Sequence, residues 1–298
     1  VTATVAVRPR TRILAFVALT KPRIIELLLV TTVPAMIVAE RGLPSLWLMA
    51  VTVMGGTLAA GGAHAINMVI DRDIDALMDR TKNRPLVTGI VQPTEALVFA
   101  LTVELIAFLI LWGFVNLLSA VLAVSATAFY VFVYSLWLKR RSSQNIVIGG
   151  AAGAMPVLVG WAAVTNELAW APVVMFAIIF VWTPPHFWAL AIKYAEDYTA
   201  ADIPMLPSVM SAKQTTSRML AYTVLLWAIS LLLGPVADLG LIYTVSAAVL
   251  GAAFLYYAVR VHKDPTMAKA MTLFTFSITY VTLLFGAMAI DALVANGA

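Results

Sequence analysis

The chain has 298 residues, of which 62% are hydrophobic and only 11% charged, against about 45–50% apolar and about 25% charged in an ordinary soluble domain. A soluble fold is excluded, because no core could hide that many apolar side chains and too few charges remain to cover a surface; lipid must solvate most of the chain. The lack of cysteine removes disulfides, thiolate metal sites and cysteine nucleophiles, and the formal charge of +4 is read as membrane orientation rather than as attraction to nucleic acid.

The first residues carry Arg8, Arg10 and Arg12 with no small-residue cleavage site after the first apolar stretch, which predicts a cytoplasmic tail over 1–20 rather than a removable signal peptide. An apolar stretch of about 20 residues crosses a bilayer. Nine such stretches follow, at 24–40, 45–66, 94–112, 115–138, 146–164, 168–192, 217–234, 239–259 and 271–291. The third contains Glu95 and Glu104, and the sixth contains Pro184-Pro185. With the N-terminus inside, all but Arg41 of the 19 basic residues fall on the cytoplasmic side, where Lys and Arg collect.

That topology places the two longest polar stretches, 67–93 and 193–216, on the cytoplasmic face, and function is expected there. The outer connections are short and chemically poor. The predicted architecture is one all-α domain over 1–298, a polytopic membrane bundle of about nine transmembrane helices. Small residues are dense at Gly55-Gly56, Gly61-Gly62 and Gly149-Gly150-Ala151-Ala152-Gly153, where they let helix backbones approach closely or leave room for a bulky ligand.

The richest stretch runs from Asn67 through Asp71, Arg72, Asp73, Asp75, Asp79, Arg80, Lys82 and Arg84 to Pro85. If the second span stays helical to about Met78, four residues advance about 400°, so Asn67, Asp71 and Asp75 share one face while Asp73 points elsewhere. Two carboxylates one turn apart repel each other and call for a cation. Mg²⁺ suits hard oxygen ligands, taking one or two carboxylates and completing its shell with water and substrate phosphate. An EF-hand fails, since its glycine position holds Ala76 and its terminal glutamate position holds Lys82. An ion pathway would need acids continuing through the spans. A solvated charged loop is the bland alternative.

Arg80, Lys82 and Arg84 follow at once, and guanidinium groups grip phosphate oxygens in a fork. Arg72 belongs to the same basic set. Tyr134 with Lys139-Arg140-Arg141 forms a second basic cluster at the inner end of the fourth span. Membrane anchoring alone is the competing account of both. In the sixth span, Pro184-Pro185 should kink or break the helix and set His186 beside freed carbonyls among large aromatics, as a ligand, an acid/base or a hydrogen-bonded structural group. Lys193 and Asp197 lie one turn apart, free to pair with each other or to join Asp71 and Asp75. His64 and His262 suggest no role.

Asn67-x3-Asp71-x3-Asp75 at the inner end of the second of nine spans, with an acidic region after the sixth, resembles the UbiA superfamily of intramembrane prenyltransferases. Four further blocks resemble its heme-farnesylating branch: Arg80-Thr-Lys-Asn-Arg84-Pro-Leu, Asn145-Ile-Val-Ile-Gly-Gly-Ala-Ala-Gly, Trp182-Thr-Pro-Pro-His186-Phe-Trp-Ala-Leu and Ile203-Pro-Met-Leu-Pro207. The resemblance implies a helical bundle with a central cavity open to the cytoplasmic face of a prokaryotic inner membrane. It implies transfer of farnesyl from farnesyl diphosphate to a vinyl group of heme B, with water added, giving heme O and diphosphate, and a downstream heme A synthase as a possible partner. On this reading Mg²⁺ is held by Asn67, Asp71, Asp75 and Asp197. Asn67, Arg72, Lys82, Lys139, Arg140 and Tyr134 hold the diphosphate, while Asp71, Asp75, Arg80, Arg84, His186 and Lys193 take part in catalysis. One departure stands out: many members carry a second Asp-x3-Asp, and here its first position is Lys193. The alternatives are a prenyltransferase acting on a quinone precursor, a non-catalytic heme carrier or assembly factor, and a transporter.

Overall fold

The computed structural model describes residues 9–295 and Gly297, with the side chains of 11–22 and from Val30 onward within that range. Arg8 and the side chains of Arg10 and Arg23, part of the expected basic set, lie outside the described residues. Among those described there is no strand. The helices are α1 Pro9–Leu19, α2 Pro22–Glu40, α3 Leu46–Ile70, α4 Arg72–Leu77, α5 Pro93–Phe114, α6 Leu117–Ala128, α7 Asn145–Thr165, α8 Trp170–Lys193, α9 Ala195–Ala200, α10 Leu206–Val209, α11 Ala212–Val236, α12 Leu241–Lys263 and α13 Met267–Ala295. Between α6 and α7 the chain continues from Phe129 to Leu138 as a π-helix.

Eight helices in the described residues are long and apolar enough to cross a membrane, counting α6 with its π-helical extension as one, Leu117–Leu138. With the 19-residue α2, each of the nine expected spans has its helix. Their starts follow local chemistry. Ser45 caps α3 by accepting from Leu48 N at 3.2 Å, and Asn116 caps α6 by accepting from Ser119 N at 2.8 Å. Gln92 with Glu95, and Ser211 with Gln214, form capping boxes at α5 and α11. The start of α12 is capped from another helix, by the buried Asp291 of α13, whose carboxylate accepts from Gly240 N and from Tyr243 N.

Three expectations need correction. The tail contains α1, whose Ala15 and Leu19 pack with Ala65, Met68, Leu86 and Ala96. The second span does not run smoothly to Met78: α3 ends at Ile70, Asp71 (φ −90°, ψ 6°) bends the chain, and α4 stops at Leu77 because Met78 is extended. The bonds Asp71 N to Asn67 O at 2.9 Å and Asp75 N to Asp71 O at 2.8 Å keep the one-turn relation of the three residues across that bend. The third correction is that α8 runs unbroken through Pro184 and Pro185.

The bundle has two halves. Helices α2, α7, α8, α11, α12 and α13 enclose a large aromatic core in which Trp182, Trp188, Tyr243, Phe254, Tyr280 and Phe285 are buried. The other half packs α3 against α5 and α6 against α7, and here small residues do the expected work. A Cβ on Gly55 would stand 2.6 Å from Leu111, and one on Gly149 would overlap the Tyr134 ring, so neighbouring side chains already fill both positions. Of the three glycines in the 149–153 run, Gly153 faces open space. Leu101, Leu105 and Trp112 of α5, Phe132 and Trp137 of the π-helix and Val245 and Val249 of α12 project outward, as a lipid-solvated surface requires.

Candidate active site

The site forms where α3, α4, the π-helix and the loop after α1 meet. Asp71 and Asp75 are buried, with side chains 0% and 4% exposed. Asp71 Oδ2 accepts from Lys139 Nζ and, at 2.7 Å, from Asn67 Nδ2. Asp75 Oδ2 accepts from Arg84 Nη1 at 2.5 Å. Asn67 also donates to Ser135 Oγ at 2.9 Å, and its Oδ1 accepts from Lys21 Nζ at 3.2 Å. Its amide therefore orients its neighbours, and the oxygen expected from the sequence to ligate a metal is engaged by an ammonium.

The π-helix explains how Lys139 arrives there. Tyr130 and Lys139 are nine positions apart in sequence. In an α-helix nine residues advance about 900°, leaving them half a turn out of register. With i to i+5 bonding, at about 4.4 residues per turn, they advance about 740° and share a face. Lys139 N bonds to Tyr134 O at 2.8 Å and Ser135 Oγ to Tyr130 O at 2.9 Å. Tyr130, Tyr134, Ser135 and Lys139 thus form one polar edge, with the two tyrosine rings stacked at 5.3 Å and Tyr130 edge-on to His64 at 5.6 Å. Asn145, the first residue of α7, donates to Lys139 O at 3.3 Å and fixes the end of this edge.

Lys21 was visible in the sequence only as one basic residue among many. It sits between α1 and α2 in the left-handed region, at φ 51° and ψ 62°, a conformation that costs a non-glycine residue about 1–2 kcal/mol. Burial, then the charges of Arg84 and Lys139, hold its ammonium down, to about 7. Two buried acids thus face three bases, Lys21, Arg84 and Lys139, and with Lys21 protonated the cluster carries a surplus positive charge. Asp71 Oδ1 is buried and has no hydrogen-bond partner among the described residues, although a buried carboxylate oxygen in that state is costly. Free hard-oxygen capacity beside surplus cationic charge fits a divalent cation bound together with a polyanion. Among the described residues no three Asp, Glu or His side chains converge, and Asp71 and Asp75 are the two buried carboxylates of the cluster.

The remaining predicted residues divide. Arg80 lies at the mouth, its guanidinium over the Tyr194 and Tyr198 rings at 5.4 and 6.0 Å. Lys193 ends α8 with its nitrogen 5.4 Å from the Tyr194 ring, and Asp197 bonds to the backbone N–H groups of Asp79 and Arg80 rather than to Lys193. Three basic residues of the expected diphosphate set hold partners within the protein. Arg72 Nε donates to Leu86 O at 3.1 Å, Arg140 forks onto Asp73 at 2.6 Å, and Lys82 pairs with Asp79 at 2.6 Å. Asp73, 64% exposed, indeed points elsewhere, and the Arg140 guanidinium holds its carboxyl below the usual range.

His186 belongs to the aromatic half. Its ring lies between Trp182 at 4.1 Å and Phe274 at 4.6 Å, and Nδ1 bonds to Ser277 Oγ at 2.6 Å. The proline-freed carbonyls expected beside it do not open a gap in α8. Its contacts bind α8 to α13.

An all-α intramembrane bundle carrying a buried acid pair among basic side chains is the architecture of a membrane prenyltransferase. Residues 28–285 match the UbiA prenyltransferase family, and the chain belongs to it. A protoheme IX farnesyltransferase of Parafrankia sp. (strain EAN1pec) is 55% identical over 289 residues, covering 96% of this chain and 92% of that protein. Another, from Streptomyces coelicolor, is 52% identical and covers 94% and 91% of the two chains. Among solved structures, a digeranylgeranylglyceryl phosphate synthase superposes with TM-score 0.78 at 16% identity, covering 95% of this chain and 99% of its own. A UbiA homolog from Archaeoglobus fulgidus bound to GPP and Mg²⁺ gives TM-score 0.62 at 14% identity over 92% and 99% of the two chains. At those identities the structures establish the shared fold.

Proposed function

We propose that the chain transfers a farnesyl group from farnesyl diphosphate to a vinyl group of heme B, with addition of water, releasing heme O and diphosphate. The observation that carries the reaction type is the buried cluster of Asp71, Asp75, Lys21, Arg84 and Lys139. The name shared by relatives above 50% identity and of nearly equal length supplies the donor and the acceptor. Asp71 and Asp75 hold Mg²⁺ together with the diphosphate; bound there, the ion supplies positive charge to the departing oxygens. Arg84, Lys139 and Lys21 take up the same developing charge from the chain's own side, and Arg80 meets the diphosphate at the mouth. Asn67 orients Asp71 and Lys21. The surrounding apolar helices keep water from the allylic cation until the vinyl carbon attacks.

The domain is the whole bundle. It sits in the cytoplasmic membrane of a bacterium with the N-terminus and both polar loops inside, on the strength of the one-sided distribution of Lys and Arg, and its heme product passes to a heme-modifying partner. The test is incubation of purified protein with heme B, farnesyl diphosphate and Mg²⁺, then mass analysis of the extracted heme. A product carrying one farnesyl group and one added water is expected. Unchanged heme, or prenylation of a quinone precursor instead, refutes the reading.

A further inference from the structure

The two polar loops are bound into one unit, and a carboxylate thought of as a metal ligand does the binding. After α4 ends, the turn at Met78 gives its carbonyl to Thr81 N at 3.0 Å and Lys82 N at 2.9 Å. The N–H groups of Asp79 and Arg80 receive the Asp197 carboxylate instead, one on Oδ1 and one on Oδ2, each at 3.3 Å. Beneath this contact Ile74 and Met78 of the first loop pack with Ala201, Ile203 and Tyr198 of the second. Above it the Arg80 guanidinium lies over Tyr194 and Tyr198, which flank Asp197 in the chain. Backbone and cation–π contacts thus converge on Arg80, and the apolar contact lies beside it at Ile74 and Met78.

From this we infer that Asp197 is a positioning residue, which fixes the 78–80 turn so that Arg80 faces the diphosphate, and that it does not ligate a second metal. Both of its oxygens are aimed at N–H donors. The position one turn before it, which would have to supply a partner carboxylate, is Lys193, an ammonium that cannot ligate Mg²⁺. The link between the two loops is made of the chain's own hydrogen bonds. The inference rests on the proposed reaction only for the identity of the anion that Arg80 meets.

The test uses full-length Asp197→Asn, Arg80→Ala and the double variant. Because the chain has no cysteine, spin labels at Asn83→Cys and Ala200→Cys, both exposed positions, report the loop contact without reference to chemistry. Asp197→Asn should broaden the distance distribution between the labels. It should raise KM for farnesyl diphosphate about tenfold, as loss of charge-assisted bonds predicts, while kcat and the Mg²⁺ half-saturation move less than about twofold. Added to Arg80→Ala it should cost little more, since both act through one side chain. Unchanged label distances, a Mg²⁺ half-saturation raised about tenfold or more, or a fall in bound Mn²⁺ from two ions to one would each overturn it. If the unaltered protein fails to farnesylate heme but the labels still separate on Asp197→Asn, the assigned reaction falls and the loop contact stands.

Discussion

Asp71→Asn and Asp73→Asn remove the same charge two residues apart, and their surroundings dictate opposite outcomes. Asp71 is fully buried and takes Lys139 Nζ, itself only 13% exposed, so the amide leaves an ammonium without its counter-charge. Breaking one side of a buried pair costs about 3–5 kcal/mol of stability. Losing a carboxylate at the seat of the leaving group should also lower kcat/KM for farnesyl diphosphate by about 10²–10³-fold, the scale of a deleted electrostatic stabiliser. Asp73 pairs with Arg140 in solvent, a contact worth about 0–1 kcal/mol, and its loss should leave kcat/KM within about twofold. The two losses at Asp71 separate in Asp71→Asn/Lys139→Met, which removes the stranded charge. Its thermal midpoint in detergent should recover, while its activity should not. Equal loss of activity at Asp73, or recovery of activity in the double variant, would refute the assignment of Asp71 to the seat.

Arg84→Lys keeps the charge but loses the fork that reaches both Asp75 and phosphate, so binding of inorganic diphosphate by calorimetry should weaken by about tenfold; unchanged binding with impaired membrane insertion would make Arg84 an anchor. His186→Ala should lower stability by about 2–4 kcal/mol through the lost sandwich and the lost bond to Ser277 Oγ and leave the visible spectrum of bound heme unchanged, whereas a shifted spectrum would make it an iron ligand. Lys21 sets a pH dependence: below about 7 its ammonium is already charged, and above that value binding an anion must first take up a proton. Diphosphate affinity should therefore fall with rising pH above about 7, by up to tenfold per unit, and Lys21→Arg should flatten that slope. The ligand's own ionisations are common to both proteins, so equal slopes would exclude Lys21 from the site.

The sequence was most legible where one force acts alone. Each of the nine apolar stretches lies on a helix of the described residues, eight of them long and apolar enough to cross a membrane, because the bilayer fixes length and internal hydrogen bonding together. The relation of Asn67, Asp71 and Asp75 also survived, since the backbone bonds across the bend at Asp71 preserve the turn that periodicity assumed. Legibility failed where the backbone departs from its common form. Nothing in Phe129–Leu138 marks a π-helix, so Lys139 and Arg140 read as equivalent members of one diphosphate-binding or anchoring cluster, and the pairing of Lys139 with Asp71 was not visible. Pro184-Pro185 looked like a break, yet the packing of α8 against α7, α11 and α13 holds the helix through both residues. His186, expected beside that break as a ligand, an acid/base or a structural group, sits instead in an intact helix between two aromatic rings and bonded to Ser277.

Lys21 shows why the charged half of the site is hardest to read from spacing. The sequence places it 46 residues before Asn67, in a run of Lys and Arg that membrane orientation already explains. Only the fold, by holding Lys21 in a left-handed turn locked from behind by Pro22, carries its ammonium inward to Asn67. That placement combines backbone strain with desolvation of an ammonium near two other cations, and neither improves packing. Such costs persist where the surrounding structure enforces them, and they cluster at ligand clamps. A polyanion in the cluster would relieve the electrostatic part, raising the Lys21 pKa as it binds. The depressed Lys21 ammonium is thus what the proposed diphosphate seat requires before its ligand arrives: positive charge held ready at a desolvation cost that an anion would offset.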